Sequence, residues 1–194
     1  HSGWSEQDPA DWIAATERAF DALKASHPTE FAALKAIGFS GQMHGATLLD
    51  AAGDVLRPCM LWNDTRSFAQ AAAMDADPMW RAVTGNIVFP GFTAPKLAWV
   101  RAQEPDIFAR VATVLLPKDY LIHRLTGGFT TDVSDASGTL LLDVARRDWS
   151  PDLCAAWEVD PAWLPPVVES SAVVGVTRGG SSLPGLPVGI PVVA

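Results

Sequence analysis

Apolar residues recur at helical spacing through Trp12, Ile13, Thr16, Phe20 and Leu23, directly after Asp8-Pro9. This predicts a first helix starting at that pair and closing at Ser26-His27-Pro28. From Phe31 to Phe39 a short helix tail runs into a buried strand, and the chain then turns at Gly41. Thr47-Leu48-Leu49-Asp50 and Val55-Leu56, separated by Ala51-Ala52-Gly53-Asp54, predict a hairpin. Ser67 to Met74 is Ala-rich and predicted helical, while Thr84-Gly85-Asn86 and Phe89-Pro90-Gly91 punctuate loops. Ala94 to Arg101 predicts a second good helix, continued after Glu104-Pro105 from Asp106 to Val111. Val114-Leu115-Leu116 is a short buried strand, turned by Pro117-Lys118-Asp119 into a helix from Tyr120 to Leu125. Thr130 to Gly138 is predicted to be a loop, and Leu140 to Leu142 is apolar again. Trp149-Ser150-Pro151 then opens a helix that reaches Trp157. The tail from Leu164 is rich in Pro, Val and Gly and ends on the strand pattern Gly189 to Ala194. Helices alternating with short apolar strands predict the α/β class.

Within this pattern the segment Gly38-Phe39-Ser40-Gly41-Gln42-Met43-His44-Gly45 carries the first candidate chemistry. It sets Met43 and His44 at the carboxyl end of a predicted strand, where open α/β sheets bind ligands. The neighbouring glycines let backbone come close to a ligand. Spacing alone leaves two readings open for His44: a hydrogen-bonded loop residue or a ligand contact.

Composition narrows the partners. The 194 residues suffice for one domain with its own core or for part of a larger one, and 48% are hydrophobic against 19% charged, as in globular chains. Lys plus Arg number 14 and Asp plus Glu 22, a formal charge of −8 with no basic cluster. Nucleic acid is therefore not an expected partner, because backbone binding needs a positive footprint. No run is long enough for a membrane helix, and the first residues carry no signal pattern. Cys59 and Cys154 lie far apart and are expected to be buried thiols of a reduced, cytoplasmic protein, outside any disulfide or metal framework.

Several segments in order then carry a resemblance: Gly41-Gln42-Met43-His44-Gly45-Ala46, Leu61-Trp62-Asn63-Asp64, Thr84-Gly85-Asn86, Gly91-Phe92-Thr93-Ala94-Pro95-Lys96-Leu97 and Leu115-Leu116-Pro117-Lys118-Asp119-Tyr120. Together they resemble the first half of the bacterial xylulokinases, in the FGGY group of carbohydrate kinases. Gly91 to Gln103 is similar to that family's first signature, with Lys96 and Trp99 in place. The resemblance implies an actin-like, ribonuclease-H-like α/β domain, incomplete at both ends, with residues 1–194 forming part of the N-terminal sugar-binding domain. It implies transfer of the ATP γ-phosphoryl group, with Mg²⁺, to D-xylulose, giving D-xylulose 5-phosphate. It places Met43 and His44 at the sugar, where a neutral imidazole donates at one nitrogen and accepts at the other. It also implies that the phosphate-binding hairpin, the general-base aspartate just beyond Ala194 and the nucleotide domain are absent, so no catalytic residue is assigned here and the chain by itself is expected to be inactive. Another ketose or polyol kinase, a non-catalytic sugar-binding fragment and a homodimer remain open. A sheet lacking its first strands is expected to show a bare edge.

Other residues divide between chemistry and structure. Asp64 has two open readings, a lining of the sugar cleft or a loop cap, and Phe89 to Phe92 forms an apolar wall beside the sugar by analogy with the family. Asp119 is expected to be a helix N-cap, with Lys118 facing solvent. Asp132 to Thr139 lacks EF-hand spacing, and turn chemistry accounts for it. His1, His27 and His123 sit near no other candidate ligand, and no protein-held metal is expected. Trp4, Trp12, Trp80, Trp99, Trp149, Trp157 and Trp163 are expected in the core.

Overall fold

The computed structural model describes residues 2–179 and 186–194; His1 and part of the Pro-Val-Gly tail lie outside them. The chain opens with β1 (Glu6–Gln7) and α1 (Pro9–Ser26), whose Asp8 cap accepts from the Ala10 amide at 2.9 Å. Proline follows the cap, so its missing N–H falls where no intrahelical bond is needed. Next come α2 (Pro28–Ala32) and β2 (Ile37–Gly38), then β3 (Thr47–Leu49) and β4 (Cys59–Met60). Three helices follow, α3 (Phe68–Asp75), α4 (Pro78–Thr84) and α5 (Thr93–Gln103), and then the short α6 (Pro105–Phe108). β5 (Thr113–Leu115) leads into α7 (Pro117–Thr126), then β6 (Thr131–Asp132) and α8 (Val133–Ser137). β7 (Leu142–Asp143), β8 (Asp148–Trp149), α9 (Pro151–Ala156), a 3₁₀ turn at Pro161–Trp163, β9 (Val167–Val168), β10 (Val173–Val176) and β11 (Pro191–Val193) complete the order.

The strands form small separate ladders among the described residues. β10, β11 and β2 make a three-stranded sheet with β11 parallel to β2, and β3 pairs antiparallel with β5. The predicted hairpin survives as a single bridge between Leu49 and Val55. β2 is an edge strand of two residues, with Ile37 half-buried and Gly38 exposed, rather than the longer buried strand predicted there. Thr130 to Gly138 is not a plain loop: β6 pairs parallel with β9, and Asp132 caps α8 through bonds to the Ser134 and Asp135 amides.

The main core packs α3, α4, α5 and α9 around β3, with Leu48, Met60, Met74, Trp80, Leu97, Leu140, Leu141 and Leu153 almost fully buried. Each such side chain contributes about 1.5–3 kcal/mol by leaving water. Helix α5 lies at its centre and buries all but a few positions, which is why its apolar pattern has no polar stripe. Trp80 is fully buried, and Trp99, Trp149, Trp157 and Trp163 pack partly buried against this core, while Trp12 joins a second cluster of Leu49, Leu115 and Tyr120. Trp4 is the exception at 41% exposed, its ring lying over the Arg66 guanidinium at 3.8 Å. Cys59 and Cys154 are buried and unpaired, and burial pushes both thiols up to about 11.

Candidate functional site

His44 leaves the turn after β2 with φ 66°, a left-handed conformation that side chains other than glycine rarely adopt. Three contacts hold it there. Its carbonyl accepts from Thr93 Oγ1 at 3.1 Å and from Lys96 Nζ at 2.8 Å, two side chains three residues apart on one face of α5. The Lys96 ammonium also donates to the Gly91 carbonyl, so it joins the His44 loop to the loop that leads into α5. The imidazole Nδ1 lies 2.7 Å from the Gly138 carbonyl just past α8. A carbonyl only accepts, so Nδ1 carries the proton and Nε2 of the neutral ring is left as an acceptor. Burial holds the His44 pKa below its usual 6.5, partly offset by the Gly138 bond, which keeps the ring neutral at pH 7.

Met43, His44, Asn86, Phe92, Ser134, Asp135, Ser137 and Gly138 line one open cleft of about 350 Å³. Phe92 meets the His44 ring edge-on, with centroids 4.5 Å apart, and stacks on Phe89 at 6.2 Å. Gly138 has to be glycine here, since a Cβ would overlap the His44 ring. Asn86 follows the left-handed Gly85 that ends α4, and its amide nitrogen donates to the Thr84 and Ser137 carbonyls at 3.2 and 3.4 Å. With that nitrogen engaged, its Oδ1 is an acceptor without a partner among the described residues. Burial pushes the Asp135 carboxyl up to about 6, against the pull of Lys118, with Asp132 and Asp119 adding to the rise.

Lys118 is not solvent-facing. It is 5% exposed, and its ammonium contacts Asp119 at 2.7 Å and Asp132 at 2.9 Å. Burial opposes its charge, but the two carboxylates outweigh burial and hold its pKa above the usual range. Asp119 does cap α7, but from the third helical position and not from the N-cap itself: its carboxylate accepts from the amide of Leu116, the N-cap residue, at 3.3 Å. Asp64 does not line the cleft. It is fully buried, with its oxygens accepting from the Ser5 amide at 2.7 Å and from Arg66 at 2.6 to 3.0 Å. Arg66 in turn pairs with Glu6 at 2.8 Å, so Asp64 fastens the N-terminal segment to the core.

The structure therefore brings Met43, His44 and Phe92 to one cleft and leaves Asp64 outside it. Sequence reading did not single out Asn86, Ser137 or Asp135 as cleft residues. The signal was present in the Thr84-Gly85-Asn86 and Ser134-Asp135-Ala136-Ser137-Gly138 segments, which read only as punctuation and turn chemistry.

Residues 1–194 match the N-terminal domain of the FGGY family of carbohydrate kinases. The chain belongs to that family. The FGGY chain is 51% identical over 176 residues to the xylulose kinase of Escherichia coli K12, covering 90% of this chain and 36% of that relative. A crystal structure of a xyloylose kinase from Brucella ovis superposes with a TM-score of 0.94 at 55% identity, over 100% of this chain and 39% of that one. The xylulose kinase of Rhodospirillum rubrum gives 0.95 at 31% identity, over 100% and 41%. The FGGY chain thus shares the actin-like α/β fold of these sugar kinases and spans about 36% of the length of the Escherichia coli relative.

Proposed function

We propose that this chain supplies the sugar-binding side of a kinase that uses ATP and Mg²⁺ to convert D-xylulose to D-xylulose 5-phosphate. The observation that carries the reading is the neutral His44, pinned by the Gly138 carbonyl at 2.7 Å inside a cleft whose other polar groups include Asn86 and Asp135. A ketose offers hydroxyl donors, and a site built from acceptors suits them while rejecting analogues that lack them. Met43 and Phe92 add apolar surface for the carbon chain. The relatives' names favour xylulose among the ketoses. Two buried, unpaired thiols are in keeping with a cytoplasmic setting.

The residues that line the cleft do not fit a seat for phosphate or metal. None is Lys or Arg, and among the described residues no group of three His, Cys, Asp or Glu could hold a metal ion. The reading therefore places the ATP phosphates and Mg²⁺ outside this cleft. What its own residues do is bind and orient the sugar.

The test is a coupled kinase assay on the protein as its gene encodes it, with D-xylulose, D-ribulose, xylitol and glycerol as acceptors. D-Xylulose is expected to give the highest kcat/KM. Substitution His44→Ala removes an acceptor worth about 1–3 kcal/mol, so kcat/KM for the sugar is expected to fall roughly 5- to 150-fold with the KM for ATP unchanged. A different preferred acceptor overturns the substrate, and an unchanged sugar kcat/KM in His44→Ala overturns the site.

A further inference from the structure

Asp135 enters the reading above only as one acceptor among several in the cleft, and its surroundings are unusual for a carboxylate. Its side chain is 22% exposed, and no described residue donates a hydrogen bond to it. The nearest cation is Lys118 at 3.8 Å, which is already shared between Asp119 at 2.7 Å and Asp132 at 2.9 Å. Asp132, three residues earlier, is fully engaged: it accepts from the Ser134 and Asp135 amides, from Ser170 Oγ and from Lys118. Helix α8 thus uses one acidic residue for its own cap and turns the other toward the cleft. The backbone carbonyl of Asp135 accepts from the Gly138 amide at 3.0 Å, and the Gly138 carbonyl holds His44, so the carboxylate and the imidazole are fixed in one short frame.

We propose that Asp135 is a specificity-determining residue, whose carboxylate accepts hydrogen bonds from hydroxyls of a neutral sugar lying against His44 and excludes sugars that carry a carboxylate or a phosphate at that end. The proposal rests on the sugar-kinase reading of the same cleft and goes beyond it by naming the charge class admitted. A hydroxyl donor completes what Asp135, Asn86 Oδ1 and His44 Nε2 lack, and a site of this kind discriminates strongly because its polar groups are otherwise left unpaired. An anionic sugar meets the opposite situation. It brings acceptors to acceptors, loses water, and finds no Lys or Arg among the lining residues to compensate.

The protein as encoded by its gene is assayed in parent form and as Asp135→Asn and Asp135→Ser, with D-xylulose as substrate and D-xylonate as competing inhibitor. Asp135→Asn keeps the shape and removes the charge. It is expected to raise the KM for D-xylulose about tenfold with a smaller change in kcat, and to lower the ratio of xylonate Ki to xylulose KM at least about tenfold. Asp135→Ser replaces it if Asp135→Asn does not fold. A ratio that stays at the parent value overturns the proposal. So does an equal loss of turnover on every sugar, the mark of a structural role. If the parent prefers another neutral ketose or polyol, the substrate assignment changes, and the ratio is read for that sugar against its own acid. If the parent phosphorylates no sugar, dissociation constants of D-xylulose and D-xylonate by calorimetry replace KM and Ki, and failure to bind D-xylulose overturns both readings.

Discussion

At the scale of single residues, the cleft shows two groups held in states their free forms do not favour. His44 keeps a left-handed backbone, and Asp135 keeps a carboxyl whose pKa burial raises from 3.8 to about 6. Such positions persist when the surrounding structure over-determines them, and they cluster where ligands bind. The Asp135 shift has a definite sign. Between pH 3.8 and about 6 the folded chain keeps a proton that the unfolded chain has released, so the residue lowers stability as pH rises through that window. Above about 6 the whole cost is present. The groups that face it are Lys118 and Asp119 from α7, Asp132 from the α8 cap and His44 across the cleft, and only Lys118 offsets the cost. Asp135→Asn is therefore expected to melt a few degrees above the parent at pH 7.5, at about 2–4 °C per kcal/mol for domains of roughly 150–250 residues. The two melting curves should converge as the pH falls toward 4. Circular dichroism melts across this range check it, and a lower midpoint for Asp135→Asn at pH 7.5 shows the carboxylate to be a stabilising group instead.

At the scale of elements, α5 positions the cleft through Lys96. This side chain is fully buried, its partners are the His44 and Gly91 carbonyls, and burial pushes its pKa down to about 7. Burying an ammonium costs several kcal/mol before compensation, so replacing it with an apolar chain of similar length need not destabilise the protein. Lys96→Met is expected to melt within a few degrees of the parent yet lose about tenfold in kcat/KM for the sugar, mainly through KM, because two cleft loops lose their common anchor. Parent-like KM in a folded Lys96→Met excludes Lys96 as a positioning residue. Helix α5 was legible in the sequence because Ala94 to Arg101 is dominated by apolar helix formers, interrupted only by Lys96 and Arg101 after Pro95. Helix α8 was not. Its five residues include Ser, Asp and Ser, which favour turns, and it forms because Asp132 caps it and Lys118 pins that cap. The same contact misled the reading of Lys118, since a lysine after Pro117 looks like a surface residue until its distant partner Asp132 is known. Asp64 was ambiguous for a related reason: Arg66 is a local partner, but the Ser5 amide that also holds its carboxylate lies 59 residues away. His44 was legible only as a candidate: flanking glycines singled it out but left a loop residue and a ligand contact both open. The partners that fix its ring and carbonyl, Gly138, Thr93 and Lys96, lie 49 to 94 residues on.

At the scale of the whole molecule, charge reinforces the cleft. The chain carries a formal −8, from 22 acidic against 14 basic side chains, and the cleft that faces solvent adds Asp135 without a basic lining residue. An anion approaching the cleft works against the field of these 194 residues, a formal −8, as well as against one carboxylate. These two contributions separate by ionic strength. The screening length is about 30 Å at 0.01 M and about 8 Å at 0.15 M, so salt removes the distant part and leaves most of the local one. The Ki of D-xylonate is expected to fall severalfold as NaCl rises from about 10 to 150 mM, while the KM for neutral D-xylulose stays level. In Asp135→Asn the same slope should remain but start from a lower Ki, because the net charge changes by one and the rest of the field is untouched. A xylonate Ki that ignores salt in the parent assigns the exclusion to Asp135 alone. A slope that vanishes in Asp135→Asn gives the same assignment, since the −8 of the chain then contributes nothing at the cleft.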